Sequence, residues 1–367
     1  MSLFGDDDDT RDDIEEKSAA LNAPAVPAPR ANADLLAHDG AEKQLLDWWA
    51  KGAMPHTLVF AGVPGIGKAT LAFRLARFLF THPDTPGTGL FGAEPLPATL
   101  AVPESDPVFQ RVASGGHPDL LSVGRTMNEK TSRMHDEVLV DDVRDIPTFL
   151  RRTAADGGWR VVVVDDAESL NRNAQNALLK ILEEPPPRAL LILITQAAGA
   201  LIPTIRSRAR VMNLSAPPAP AFAGLMRRYR PDLTAGDIDL LGQVAANAPG
   251  RALALLEQGG MAAISNTVDM LDNLPAAPDQ ALWTMAEKLA VRGEPDPLMG
   301  MLDVSGWALR MRATAAAEKN ETGAMKNYLS TLDALERHRA ACDKGNLDRR
   351  HTALGALRIL QSGMRAA

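Results

Sequence analysis

Apolar positions along the chain alternate between two periods as far as Pro217 and keep only one beyond it. Residues 34–52 carry apolar side chains at helical spacing, with Leu35, Leu45, Leu46, Trp48 and Trp49 on one side. The run 56–62 reads as a short buried strand passing straight into a glycine-rich stretch. Residues 68–80 then read as a helix striped by Leu71, Leu75, Phe78 and Leu79. Residues 81–118 are rich in Pro and Gly and predict a long loop or an insertion. Further strands are predicted at 117–123, at Val161–Val164 and at 189–195, and a turn with a last strand closes the series by Leu214. Between them lie a hairpin-like excursion near 128–140 and a helix at 141–155 interrupted near Pro147. A second helix, from Asn171, is stopped by Pro185, Pro186 and Pro187. Strands alternating with helices predict a parallel sheet covered on both faces.

After Pro217 only helical patterns follow. The expected organisation is a tail at 1–30, an α/β nucleotide-binding-type domain at 31–215, a small helical lid at 216–262 and an all-α domain at 263–367. The tail combines an acidic run with an Ala- and Pro-rich segment too polar to bury a core, which predicts disorder.

Charge sharpens this division. Residues 6–17 hold eight carboxylates against Arg11 and Lys17, a balance of −6. The whole chain of 367 residues carries −7, so its body is close to neutral at −1. A near-neutral body argues against strong autonomous binding to DNA, which draws on basic contacts to phosphates. No run of eighteen apolar residues exists, the N-terminus lacks the pattern of a signal peptide, and the single cysteine, Cys342, forms no internal disulfide. The expected location is a reducing cytoplasm, away from membranes.

Residues 62–70, GVPGIGKAT, carry the candidate chemistry. The strand, glycine loop and helix around G-x-x-x-x-G-K are the context in which Gly62, Gly65 and Gly67 cradle phosphates. Lys68 would face the outer phosphates. The next position of the motif supplies a hydroxyl to Mg²⁺, and here it is Ala69. Thr70 does not substitute, since one helical step turns its side chain by about 100°. Water is able to replace the missing ligand, because Mg²⁺ readily keeps several waters. Asp165, at the tip of a buried strand, is positioned to reach such a metal through water. A loop that merely shapes a turn, and an aspartate that merely ends a strand, are the alternative readings.

The combination of VVVVDDAESLNRNAQNALLKILEEPPP with LIPTIRSRAR resembles the clamp-loader branch of the AAA+ ATPases. Within that branch it is most similar to the delta-prime family of bacterial DNA polymerase III subunits. HPDL at 117–120 and, more weakly, NLDRRH at 346–351 agree. The resemblance implies an AAA+ domain followed by a lid and a helical collar that oligomerises. It makes Arg208, in Ser207-Arg208-Ala209, an arginine finger that reaches a neighbouring subunit's ATP site. Thr195 takes the polar sensor position. The alternative is that Arg206, Arg208 and Arg210 alternate along an exposed strand edge as a solvated basic face.

Several positions depart from the family pattern. Asp166 stands where a working ATPase has Glu, one methylene longer, and a misplacement of about 1 Å costs roughly 100-fold in rate. Gly250 stands where hydrolysing relatives carry a sensor arginine, with Arg251 one step later. The family's four-cysteine zinc module would fall at 81–116, where no cysteine occurs, so no structural zinc and no other metal centre is expected. The implied function is a largely non-hydrolysing clamp-loader subunit for DNA replication, holding ATP or ADP weakly, with or without Mg²⁺. Its implied partners are the other subunits of a hetero-pentamer, with the sliding clamp and primed DNA reached through the complex. An active AAA+ ATPase or another DNA motor is the alternative.

Overall fold

The structure, a computed structural model, describes residues 27–85, 88–89, 92–93, 96–125, 127–128, 133–134, 138, 140–155, 158–291, 296–344 and 348–365. The chain divides into two compact units, Met1–Leu233 with Asn247–Gly250, and Thr234–Ala246 with Arg251–Ala367.

In the first unit five strands form one sheet: β1 (Thr57–Ala61), β2 (Leu120–Val123), β3 (Arg160–Val164), β4 (Ala189–Thr195) and β5 (Arg210–Asn213). Their order is β2-β3-β4-β1-β5, and every pairing is parallel. All residues of β1, β3 and β4 are buried, as a sheet covered on both faces requires. The period of two divides them between two cores. Leu58, Phe60, Val161, Val163, Leu190, Ile192 and Ile194 pack with Leu71, Leu75 and Phe78 of α2 (Lys68–Thr81), and with Leu45 and Trp49 of α1 (Asp39–Ala50). Val59, Val162, Val164, Leu191 and Leu193 pack on the other side with α4 (Val140–Arg151) and α5 (Arg172–Glu183).

Two details differ from the sequence expectation. A helix, α3 (Pro107–Ala113), stands inside the interval read as loop, its N-terminus capped by the Asp106 side chain, which accepts from the Val108 amide at 2.7 Å. Its Phe109 ring lies 4.3 Å from the guanidinium carbon of Arg77. That buried guanidinium also donates to the carbonyls of Arg30 and Asn32, at 3.0 and 2.9 Å, pinning a single 3₁₀ turn at Pro29–Ala31. Residues 1–26 of the expected tail lie outside the described residues. The second difference is at Pro147, which lies inside α4 and does not end it. The apolar face of Val143, Ile146 and Leu150, fully buried against the sheet, holds the helix across the missing hydrogen bond. Of the expected excursion, Met127–Asn128 and Arg133–Met134 pair antiparallel; the residues between them lie outside the described ones.

A short helix, α6 (Pro203–Arg206), precedes β5, and α7 (Ala219–Tyr229) follows it. Tyr229 donates to Asp34 at 2.8 Å, which ties α7 to the segment ahead of α1. The Tyr229 phenol is pushed up to about 12 by burial and by that carboxylate.

The second unit is helical: α8 (Ala235–Ala245), most of α9 (Pro249–Glu257), α10 (Gly260–Asn273), α11 (Asp279–Leu289), α12 (Pro297–Glu318), α13 (Thr322–Lys344) and α14 (Arg349–Arg365). Leu271, Leu282, Leu302, Leu309, Leu335 and Leu357 are among its core residues. Inside this apolar set the buried Gln361 amide donates to the carbonyls of Leu274 and Ala277, at 3.1 and 2.8 Å, satisfying the chain end of α10. No helix among the described residues is long and apolar enough to cross a membrane. α14 approaches α13 at Gly363, where a β-carbon would overlap the Thr331 hydroxyl. Gly363→Ala is expected to cost about 1–3 kcal/mol of stability, read by denaturant unfolding followed through tryptophan fluorescence.

Candidate functional site

The glycine loop starts where β1 ends. The Gly62 amide donates to the Thr195 carbonyl at 3.2 Å, and the Leu214 amide donates to the Ala61 carbonyl at 2.7 Å. The ends of β4, β1 and β5 are thus in register at one edge of the sheet. Gly65 and Gly67 have φ of 79° and 98°, in the left-handed region where a side chain is disfavoured, and Gly67 caps α2. The sequence-predicted loop residues, Gly62, Gly65, Gly67 and Lys68, therefore form one strand-loop-helix turn at the carboxyl end of the sheet, where ligands of such sheets bind.

Lys68 is buried, with only 7% of its surface exposed. Its ammonium donates to the carbonyls of Gly62 and Val63 at 2.6 and 2.8 Å. Burial lowers its pKa, and the nearby carboxylates of Glu168, Asp165 and Asp166 oppose that shift. Asp165 follows β3 directly, and its amide donates to the Val123 carbonyl. Desolvation and the neighbouring Asp166 charge raise its pKa. Thr195, buried at the end of β4, donates its hydroxyl to the Ala197 carbonyl at 3.1 Å. Lys68, Asp165 and Thr195 thus gather around one sheet edge, each with a partner inside the chain.

Sequence reasoning missed three contacts. His38, buried at the start of α1, places Nε2 2.7 Å from the Ile66 carbonyl within the loop. Gly250 donates its amide to the Gly65 carbonyl at 2.8 Å, and a β-carbon at 250 would stand 3.1 Å from the Gly65 α-carbon. A side chain at 250 would therefore crowd the loop backbone at Gly65. Arg251 belongs to the second unit, where burial lowers its pKa among Asp303, Arg310 and Arg339. The third contact is an ion pair: Arg125, after β2, donates to Asp166 from Nε at 2.7 Å and from Nη2 at 2.6 Å. None of the three leaves a periodic signal, since each depends on pairing between distant segments.

Divalent metal, which a P-loop of this type implies, fits these residues poorly. Ala69 offers no oxygen. Asp165 Oδ1 accepts from the Asp166 amide at 3.0 Å, and the Asp166 carboxylate is held by Arg125. Among the described residues no three His, Cys, Asp or Glu side chains converge on a metal-sized site.

Arg208 lies just beyond α6. Arg206 ends that helix and Arg210 begins β5, so the three arginines do not share one exposed strand. Arg208 donates to the Glu183 carboxylate at 3.1 Å and to the Thr204 carbonyl at 3.2 Å, with its side chain 38% exposed. Arg210 stacks loosely over Trp48, 5.8 Å from the ring centre.

The His38 contact has a measurable consequence. Burial is the largest influence on this imidazole and lowers its pKa; the Ile66 hydrogen bond and Asp39 oppose the shift, and Lys68 reinforces it. An unfolded chain takes up a proton at the ordinary value of 6.5, while the folded one resists. The stabilisation is therefore complete above that pH and lost as pH falls through the lowered folded value. His38→Gln is expected to flatten the loss of stability below pH 6.5, measured by urea unfolding across a pH series.

A family model described as DNA polymerase III, delta subunit, matches residues 37–218, a stretch that includes all five strands. The DNA polymerase III subunit delta' of Pseudomonas aeruginosa is 34% identical over 56% of this chain and 56% of its own length. That of Escherichia coli is 28% identical over 83% of this chain and 77% of its own length. Among solved structures, a DNA polymerase III gamma subunit-related protein of Thermotoga maritima aligns with 89% of this chain and 99% of its own, at 17% identity and a TM-score of 0.41. From the family match and the two delta' relatives, the chain belongs to the DNA polymerase III delta' family of clamp-loader subunits.

Proposed function

We propose that the chain is a clamp-loader subunit that keeps the AAA+ shape, turns over no ATP of its own and supplies Arg208 to a neighbouring subunit's ATP site. The observation that carries this reading is the state of its own P-loop. Ala69 lacks the metal-binding hydroxyl, Asp166 pairs with Arg125, and Lys68 is satisfied by two loop carbonyls. Gly65, Gly67 and the start of α2 still suit phosphates. ATP or ADP would bring the negative charge for which Lys68 exchanges those carbonyls, and that exchange makes binding weak. Thr195, whose hydroxyl is bonded to Ala197, contributes shape to this site.

The finger role is supported by exposure and by the small cost of release. An ion pair open to water on both sides, such as Arg208 with Glu183, is worth no more than about 1 kcal/mol. A phosphate oxygen on a neighbouring subunit is therefore able to outcompete Glu183. The helical second unit is the surface by which the subunit joins a hetero-pentamer, and the assembly acts in the cytoplasm on a sliding clamp and primed DNA.

Two measurements test this. The purified chain is expected to show no ATP turnover above background; turnover abolished by Lys68→Ala would establish an active ATPase instead. In the reconstituted complex, Arg208→Ala is expected to leave assembly intact and to lower hydrolysis at the affected site by about 10³–10⁵. Unchanged turnover rejects the finger.

A further inference from the structure

We propose that Arg125 takes the place of the divalent cation at the acid end of the P-loop, so that the chain neutralises this site itself and holds no metal there. β2 and β3 run parallel, with Val123 opposite Val164, so the segments that leave them emerge side by side. Arg125 on one segment meets Asp166 on the other, with two nitrogens on the single oxygen Oδ2. Asp166 is held in the left-handed conformation, φ 53° and ψ 47°, uncommon for a residue with a side chain. Its carbonyl accepts from the Ser169 hydroxyl at 2.7 Å and its amide donates to Asp165. Asp166 is thus fixed by its backbone and its carboxylate together.

Charge gives the proposal its direction. Asp165, Asp166 and Glu168 act on Lys68, and Arg125 lies against Asp166. Three carboxylates against two cations leave one negative charge. Without Arg125 two negative charges remain, the charge that a divalent ion neutralises. Mg²⁺ and Mn²⁺ need oxygen ligands in near-octahedral geometry. A guanidinium is instead a donor only, carries one charge and is not removed by a chelator. Arg125 therefore supplies positive charge beside Asp165 and occupies the Asp166 oxygen next to it.

The test uses the full chain without nucleotide, and Mn²⁺ as the probe, its free form followed by electron paramagnetic resonance. The acidic N-terminal run is expected to retain some Mn²⁺ weakly in every variant, so Asp165→Asn serves as the marker for the P-loop site. The wild-type chain is expected to bind the same amount of Mn²⁺ with or without Asp165→Asn. Arg125→Ala is expected to gain one equivalent, held at least tenfold more tightly than at that site in the wild type and lost again in Arg125→Ala/Asp165→Asn. Arg125→Lys, which keeps the charge, is expected to exclude the metal as the wild type does, and thermal unfolding verifies that each variant is folded. Mn²⁺ bound by the wild-type chain in an Asp165-dependent way would overturn the proposal, as would Arg125→Ala gaining none. Metal retention and ATP turnover are separate readouts, so this proposal and the non-hydrolysing role can fail independently.

Discussion

Strand β1 is hydrogen-bonded on both sides, to β4 and β5, and the chain leaves it through a position that admits no side chain. A β-carbon on Gly62 would overlap the Leu214 carbonyl, which belongs to the segment continuing β5. Relaxing that contact means opening the edge of the sheet, because the Leu214 amide is itself bonded to Ala61. The same constraint fixes where the loop begins, and with it the entry of α2. Lys68 then lies close enough to donate to Gly62 and Val63. The glycine loop is thus first a solution to strand packing, and its phosphate-binding form follows from that geometry. A chain can lose hydrolysis and still be obliged to keep this loop.

Much of the fold was legible because burial on both faces writes a plain signal. β1, β3 and β4 each hold an unbroken apolar run of four to six residues, at 58–61, 161–164 and 189–194, too short for a helix that crosses the sheet. The helices flanking them carry apolar stripes that match the two cores. α3 was hidden by composition: its seven residues sit in a stretch rich in Pro and Gly, and only Phe109 and Val112 are buried. Pro147 read as an interruption because local propensity disfavours it, and packing on the sheet overrode that preference. Arg77 could not be seen as a core residue, since its role depends on carbonyls 45 and 47 positions away.

At the candidate site the motif residues were visible and their partners were not. The spacing of Gly65, Gly67 and Lys68 identifies a loop, but nothing in that spacing says that Lys68 turns back on its own carbonyls. Ala69 and Asp166 read as losses. In the structure Asp166 is better described as reassigned, because it has a cationic partner of its own. Gly250 changes meaning in a similar way: the missing arginine is also a missing β-carbon where the backbone hydrogen-bonds to Gly65, a contact that a side chain would crowd.

These reassignments follow one electrostatic logic. A P-loop evolved for a metal nucleotide concentrates carboxylates near a lysine, and without ligands that concentration is costly where water is partly excluded. Burial, and then the neighbouring Asp166 charge, raise the pKa of Asp165 in keeping with that cost. A subunit relieved of hydrolysis must lose the carboxylates or bring in a fixed positive charge. Here the carboxylates at 165, 166 and 168 remain, Glu168 accepting from the Gln196 amide and Asp166 completing the turn with Ser169, so they have become part of the fold. Arg125 is the fixed charge that lets them stay. On the proposed non-hydrolysing role, catalytic loss and structural retention would be two sides of one change: acids that hold the turn between β3 and α5 are no longer free to serve a metal.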